Sequence, residues 1–255
     1  MKIATWNVNS IKARGTHVLQ WLESEQPDVL MVQELKGERF DTTLFEAIDY
    51  TVHIHGQKTY NGVATFTKIP LEVISTSILE GDEQARYLET RTEDGIHLIN
   101  IYAPNGNPVE SEKYPYKLRW MEELIKRAQA LLESETPFVI GGDYNIIPTP
   151  LDAATSSEWV GDALFKPESI DIYRRLIWMG IADAFRVMHP NQPGHYTFWD
   201  YQAGCWQRDN GIRIDHFLTC PAITDRIKSC TIDRTPRGWE KPSDHTAVIL
   251  EFSEQ

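Results

Sequence analysis

Short apolar runs recur from one end of the chain to the other, and several of them end on a polar side chain. Lys2 to Trp6 reads as a first strand, followed by Asn7-Val8-Asn9-Ser10, where Asn9 or Ser10 can cap the next helix. That helix places Ile11, Val18, Leu19 and Leu22 on one face and stops before Pro27. Val29 to Gln33 is a buried-type strand ending in Glu34. Tyr50 to Ile54 and Val63 to Thr67 are strands joined through Tyr60-Asn61-Gly62; Arg86 to Arg91 and His97 to Tyr102 form a second pair around Glu93-Asp94-Gly95. Tyr102 stands at the mouth of a breaker-rich loop from Ala103 to Pro108. Ser111 to about Glu133 predicts the longest helix, with Leu118, Met121, Ile125, Ala128 and Leu132 as its buried stripe and its bases on a solvated face.

The run Phe138-Val139-Ile140-Gly141-Gly142-Asp143-Tyr144-Asn145 organises the second half. Its apolar start fits a central strand covered on both faces, and the glycines clear space beside the backbone. Asp143 and Asn145 are two apart, so strand geometry sends both side chains to one side of the sheet, an arrangement suited to divalent metal and phosphate chemistry. An Asx-type turn, with Asp143 bonded to its own backbone, is the competing reading. Glu168 to Met179 reads as a helix closed by Gly180, Tyr196 to Asp200 as an aromatic strand, and Ile212 to Leu218 as a strand with Asp215 inside it. An acid inside an apolar strand needs a partner. Ser243-Asp244-His245 precedes a last strand from Ala247 to Phe252. Taken singly, Asn7 is also readable as a turn residue, Glu34 as a solvated acid and Tyr102 as a half-buried aromatic.

Composition narrows the classes. With 255 residues, 41% hydrophobic and 24% charged, a packed core is expected, and no apolar run has the length of a membrane span. No linker divides the chain, so residues 1–255 are expected to form one domain. The N-terminus reads as a strand rather than a signal peptide, and Cys205, Cys220 and Cys230 lack metal-type spacing, which fits free thiols in a reducing cytoplasm. A net charge of -12 opposes polyanion binding through bulk charge. The charge is uneven, however. Lys113, Lys117, Arg119, Lys126 and Arg127 cluster against only Glu122 and Glu123, and a bound cation offsets negative charge locally.

The set Trp6-Asn7, Gln33-Glu34, Tyr102, Gly142-Asp143-Tyr144-Asn145, Arg213-Ile214-Asp215 and Ser243-Asp244-His245 resembles the endonuclease/exonuclease/phosphatase superfamily, and within it the exonuclease III type of apurinic/apyrimidinic endonuclease. The resemblance runs from residue 2 to residue 252. It implies an α/β four-layer sandwich, two packed mixed β-sheets flanked by helices. It also implies a Mg²⁺- or Mn²⁺-dependent phosphodiesterase, a monomer acting on double-stranded DNA 5′ to abasic sites and at 3′ ends. Carried over position by position, Asn7 and Glu34 form the core of the metal site with Asp244 close by. Asp143 and Asn145 are candidates for a second ion, and His245 is counted among the metal residues. Asp143 positions or deprotonates the attacking water, Asn145 and Tyr102 contact the phosphate, and Asp215 pairs with His245, which reaches the scissile phosphate. Phe198 and Trp199 correspond to aromatic walls for a base-free sugar, Trp206 to a groove contact and Asn105 to a phosphate contact. Ile212 replaces an aromatic of that pocket. Lys113, Arg119 and Arg237 are candidate DNA-backbone contacts. A superfamily phosphatase acting on a lipid, inositide or nucleotide is the alternative within the superfamily, and a binding module without catalysis the alternative outside it.

Overall fold

Strand alternation decides the layering. In the computed structural model, which describes residues 1–253, the first half of the chain runs β1 (Lys2–Asn7), α1 (Ile11–Glu25), β2 (Val29–Gln33), α2 (Thr43–Glu46), β3 (Thr51–His55), β4 (Val63–Thr67), β5 (Leu71–Ser75), β6 (Tyr87–Thr92), β7 (His97–Tyr102) and α3 (Lys113–Glu133). The second half adds β8 (Phe138–Asp143), α4 (Pro167–Trp178), β9 (Ala182–Asp183), α5 (Ala184–Met188), β10 (Asp215–Thr219), α6 (Pro221–Thr224), β11 (Ile227–Asp233) and β12 (Ala247–Phe252). Two six-stranded sheets result, ordered β11-β12-β1-β2-β4-β3 and β5-β6-β7-β8-β10-β9. Both are mixed, because β1–β2 and β7–β8 pair in parallel while their outer neighbours are antiparallel.

Along β1, Ile3 joins the core between the sheets, while Ala4 and Trp6 turn to the opposite face. In β2, Val29 and Met31 face inward and Leu30 and Val32 outward. The inward set meets Ile99, Ile101 and Phe217 of the other sheet. The outward set is covered by Val18, Trp21 and Leu22 of α1. On the far side Trp120, Met121, Leu124 and Ala128 of α3 cover the second sheet together with α4. The order is therefore helix, sheet, sheet, helix, the expected four-layer α/β sandwich.

The glycine pair of β8 is what lets these layers close. A Cβ on Gly141 would lie 2.4 Å from the Phe217 ring and 2.9 Å from Met31 Sδ. Gly142 has φ +147, and a Cβ there would lie 2.0 Å from the Ile101 carbonyl oxygen.

Several local expectations are corrected. Neither Asn9 nor Ser10 caps α1 through its side chain; Ser10 has φ 89, and Asn9 bonds Asp244 instead. The buried stripe of α3 keeps Met121, Ile125 and Ala128 but is broader than expected. Leu118 and Leu132 are only partly buried, while Tyr114, Lys117, Trp120, Leu124 and Leu131 lie inside. Lys117 is 0% exposed, so it is not part of a solvated basic face. Tyr196 to Asp200 is not a strand: Phe198 makes only isolated bridges to Ile212 and His245. The strand expected over Ile212 to Leu218 begins at Asp215, because the residues before it turn to serve a buried ion-pair cluster. No helix among the described residues is long and apolar enough to cross a membrane, and all three cysteines are unpaired.

Because the Gly142 position has neither the space nor the backbone angle for a side chain, Gly142→Ala should lower stability by about 2–3 kcal/mol. Urea denaturation should show a lower midpoint at unchanged slope.

Candidate active site

Strand register brings the polar ends together. β1 and β2 run parallel, so Asn7 ends level with Gln33 and Glu34 follows at once. β7 and β8 run parallel, so Tyr102 pairs with Asp143, and antiparallel β10 sets Asp215 against Asp143 from the other side. The segment entering β12 delivers Ser243, Asp244 and His245 to the same edge, where Ser243 Oγ donates to the Asn7 carbonyl at 2.7 Å. Glu34 and Asn145 leave their strands in left-handed conformations, with φ 64 and φ 49.

Hydrogen bonds link the two sheets across this edge. Asn7 Nδ2 donates to Asp143 Oδ2 at 3.0 Å. The other oxygen of Asp143 accepts the Asn145 backbone N–H at 2.9 Å. The Asx turn is thus real and still leaves one carboxylate oxygen for the site. His245 Nδ1 lies 2.8 Å from Asp215 Oδ2, and His245 Nε2 lies 3.9 Å from Asp143 Oδ2. Phe198 packs its ring edge-on to His245 at 5.0 Å between centroids. On the outer rim, Asn9 Nδ2 donates to Asp244 Oδ1 at 3.0 Å, and its N–H donates to Asn7 Oδ1 at 3.0 Å. Lys36 Nζ pairs with Glu34 at 2.9 Å and donates to Asn9 Oδ1 at 2.5 Å. Asn145 accepts from Asn105 Nδ2 at 3.0 Å and donates to the Ala103 carbonyl at 2.9 Å.

The proton inventory follows from burial and charge. Burial and the charge of Asp215 push Asp143 up to about 7, against the pull of His245 and of the Asn7 amide. Burial alone would lower His245, but the Asp215 carboxylate outweighs it and raises the imidazole to about 10. Burial and the charges of Glu34 and Asp143 raise Tyr102 well above the ordinary phenol range, so it is a neutral donor. Asp143, Asp215 and His245 offer ligand atoms that all lie within 4.8 Å of one another. His245 Nδ1 is nevertheless committed to Asp215, and an imidazolium has no lone pair for a metal. Glu34 and Asp244 lie outside that group of three and meet it through Lys36, Asn9 and Asn7; their oxygens, with Asp143 and the free lone pair of Asn7 Oδ1, would offer an all-oxygen donor set. Lys36 and His245 oppose this negative charge directly, and Lys117 and Arg237 act on Asp143 and Asp244 from farther off. That donor set and excess charge fit a hard divalent cation.

A second cluster lies behind the first. Arg213, 1% exposed, donates through Nε to Asp152 at 2.7 Å and through Nη2 to Asp183 at 2.7 Å. Its Nη1 donates to His216 Nδ1 at 2.9 Å, while His216 Nε2 faces the Ile146 carbonyl at 3.1 Å. Burial and the guanidinium lower His216 to about 4, so it stays neutral. This cluster fixes the segment that carries Asp215.

Of the residues expected at the site, Asn7, Asp143, Asn145, Asp215, Asp244 and His245 are joined by the contacts above. Glu34 enters through Lys36 and Asn9, and Tyr102 through its register with Asp143. Phe198 and Ile212 line a cavity of about 280 Å³ together with Trp159, Asp162 and Cys205. Trp199 is 0% exposed, with its indole N–H bonded to Asp209 at 3.0 Å, and does not line that cavity. Arg237, 5% exposed, donates to the Trp199 carbonyl and packs on Tyr201 and Trp206, so it holds a loop rather than offering a free cation. Lys113 and Arg119 are exposed. Trp206 is half-buried and packs edge-on to Trp199. The sequence reading missed Asn9 and Lys36 as rim residues, because a short loop polar residue carries no periodic signal.

The sequence matches the endonuclease/exonuclease/phosphatase family over residues 4–245, and this chain belongs to that family. It is 33% identical to exodeoxyribonuclease III of Haemophilus influenzae, with 99% of this chain and 100% of that protein aligned. Among solved structures, an AP endonuclease from Archaeoglobus fulgidus superposes with TM-score 0.94 at 36% identity, covering 100% of both chains. A 3′ phosphatase from Neisseria, bound to a product DNA hairpin, superposes with TM-score 0.93 at 32% identity, again over 100% of both.

The Asp215 charge should be legible in the imidazole titration. His245 lies above its ordinary 6.5, so its contribution to stability is complete below that pH and is lost as pH rises toward 10. Asp143 also lies above its ordinary 3.8, so burying it opposes folding increasingly as pH rises toward 7. Side-chain NMR of the metal-free protein should find His245 still charged at pH 8, and Asp215→Asn should lower its midpoint by about two units.

Proposed function

We propose that this chain is a Mg²⁺- or Mn²⁺-dependent DNA repair nuclease that hydrolyses phosphodiesters 5′ to abasic sites and at the 3′ ends of duplex DNA. The observation that carries this reading is the hydrogen-bonded run Asn7–Asp143 with His245–Asp215 at the shared edge of the two sheets. The relatives named above are a DNA exonuclease, an AP endonuclease and a DNA-bound 3′ phosphatase, and their common substrate is a nucleic-acid phosphate ester.

A phosphodiester is anionic and repels hydroxide, so hydrolysis needs the charge offset and a water oriented in line. Asp143, raised to about 7, holds and deprotonates that water. His245, kept protonated by Asp215, donates through Nε2 to a phosphoryl oxygen. The neutral Tyr102 phenol and the second amide hydrogen of Asn145 bind the charge that develops on the phosphate. Glu34, Asp244 and Asn7 would hold a hard cation, which supplies charge neutralisation for the phosphate and the departing 3′ oxygen. The cavity walled by Trp159, Phe198 and Ile212 suits a sugar without its base, whose extrusion from the stack is least costly. Asn105, exposed and bonded to Asn145, faces phosphate in this reading. The protein acts as a monomer in the cytoplasm.

The test is a panel of labelled duplexes (abasic, blunt, nicked and 3′-phosphate) beside small phosphate esters, assayed with Mg²⁺. Cleavage of the duplexes is expected, and turnover confined to the small esters would transfer the chain to the phosphatase class. His245→Ala and Asp143→Asn should each lower kcat by about 10²–10⁴-fold with the fold intact. EDTA should abolish turnover, and Glu34→Gln should weaken metal binding as measured by calorimetry.

A further inference from the structure

Lys117 sits inside α3 with its whole side chain buried, yet no carboxylate lies within ion-pair distance among the described residues. Burial lowers the Lys117 amine against the pull of Asp143 and Asp162, so a buried ammonium without an ion pair persists only when its donors are filled. All three are filled, each by a different segment. Nζ donates to the Asn145 carbonyl at 2.6 Å, the Asn105 carbonyl at 3.1 Å and the Ala163 carbonyl at 3.2 Å.

In the nuclease reading, two of these segments carry the phosphate contacts Asn105 and Asn145, and the third carries Asp162 of the 280 Å³ cavity. The first follows β8 and turns through Asn145 at φ 49. The second follows β7 and carries Asn105, whose side chain bonds Asn145. The third carries Asp162, which lines the 280 Å³ cavity and accepts two hydrogen bonds from Asn107 Nδ2 at 3.1 Å. Ala163 is tied further by Ser169 Oγ at 2.7 Å. The fit around the lysine is close, since a Cβ on Gly106 would lie 2.8 Å from its Cδ. No neutral side chain offers three donors from one atom, and a guanidinium spreads its donors over a plane.

We propose that Lys117 is a positioning residue for the reaction: its ammonium clamps the loops of Asn105, Asn145 and Ala163 into one rigid cradle, setting the phosphate ligand Asn145 and the rim of the sugar cavity in a fixed relation. The kinetic part of this inference rests on the nuclease reading; the clamp itself rests on the three carbonyl contacts. The ammonium acts through Asn145 and the loops and touches no substrate. Because a displacement of about 1 Å at a reacting group lowers rate about 100-fold, loss of the clamp should appear in kcat rather than in KM for duplex DNA.

The experiment compares Lys117→Met and Lys117→Gln with the wild type by hydrogen exchange and by kinetics on a labelled abasic duplex in saturating Mg²⁺. Lys117→Met is expected to speed amide exchange in 103–108, 144–149 and 162–165 together while β1 and β12 stay protected. It should lower kcat about 100-fold with KM changed less than about threefold. Lys117→Gln, which restores two donors, should recover part of both effects and keeps the test available if the methionine variant does not fold. Unchanged exchange in the three loops of a folded variant would overturn the clamp. Loosened loops with wild-type kcat would overturn the positioning role. If the wild-type protein itself leaves the duplexes intact, the nuclease reading fails, and the exchange data still decide the clamp.

Discussion

A carboxylate buried beside a second carboxylate is the constraint around which this molecule is built. Asp143 and Asp215 face each other in register across β8 and β10, nearly sealed from water. Two such charges repel, and the interior screens them poorly. The conflict is relieved from both sides: His245 lies between them as a cation, and the Asn7 amide donates to Asp143 from the other sheet. Neither sheet can therefore satisfy the site alone. The same groups that settle the electrostatics of the fold are those to which the proposed reaction assigns a water and a proton.

The surrounding shell follows the same logic of buried charge held by several partners. Arg213 spans Asp152, Asp183 and the neutral His216, which fixes the approach to Asp215. Lys117 spans three carbonyls, which fixes the departure from Asp143. On the outer rim Asn9 joins Asp244 to Asn7 and Lys36 joins Asn9 to Glu34. Loops are ordinarily the mobile parts of a fold; here charged side chains pin them to the strands. The rim stays rich in oxygen donors and negative charge, which is the environment a hard cation seeks.

Much of this was legible in the chain. The apolar runs gave the central strands β1, β2, β4, β7, β8 and β12 almost to the residue, because strands buried on both faces carry a strong signal. The polar residues at their ends were visible for the same reason. What stayed hidden depended on tertiary contact. The edge strands β5 and β11 mix exposed polar residues into a weak pattern. Lys117 carries the outward signature of a surface base, and only three carbonyls meeting at its tip explain its burial. The resemblance assigned Trp199 to a pocket wall; its indole N–H bonds Asp209, and Trp159, from a distant segment that no local pattern marks, lines the cavity beside Phe198. The buried face of α3 is wider than its spacing shows, because α4 packs against the same helix.

The central claim is that the two sheets contribute to one catalytic unit through Asp143. A double-mutant cycle on kcat with Asn7→Ala from the first sheet and Asp215→Asn from the second addresses it directly. Groups acting as one unit are strongly non-additive. The double variant should thus be slower than the worse single variant by less than about tenfold. Losses that multiply in full would mean that Asn7 and Asp215 act independently, which contradicts the account.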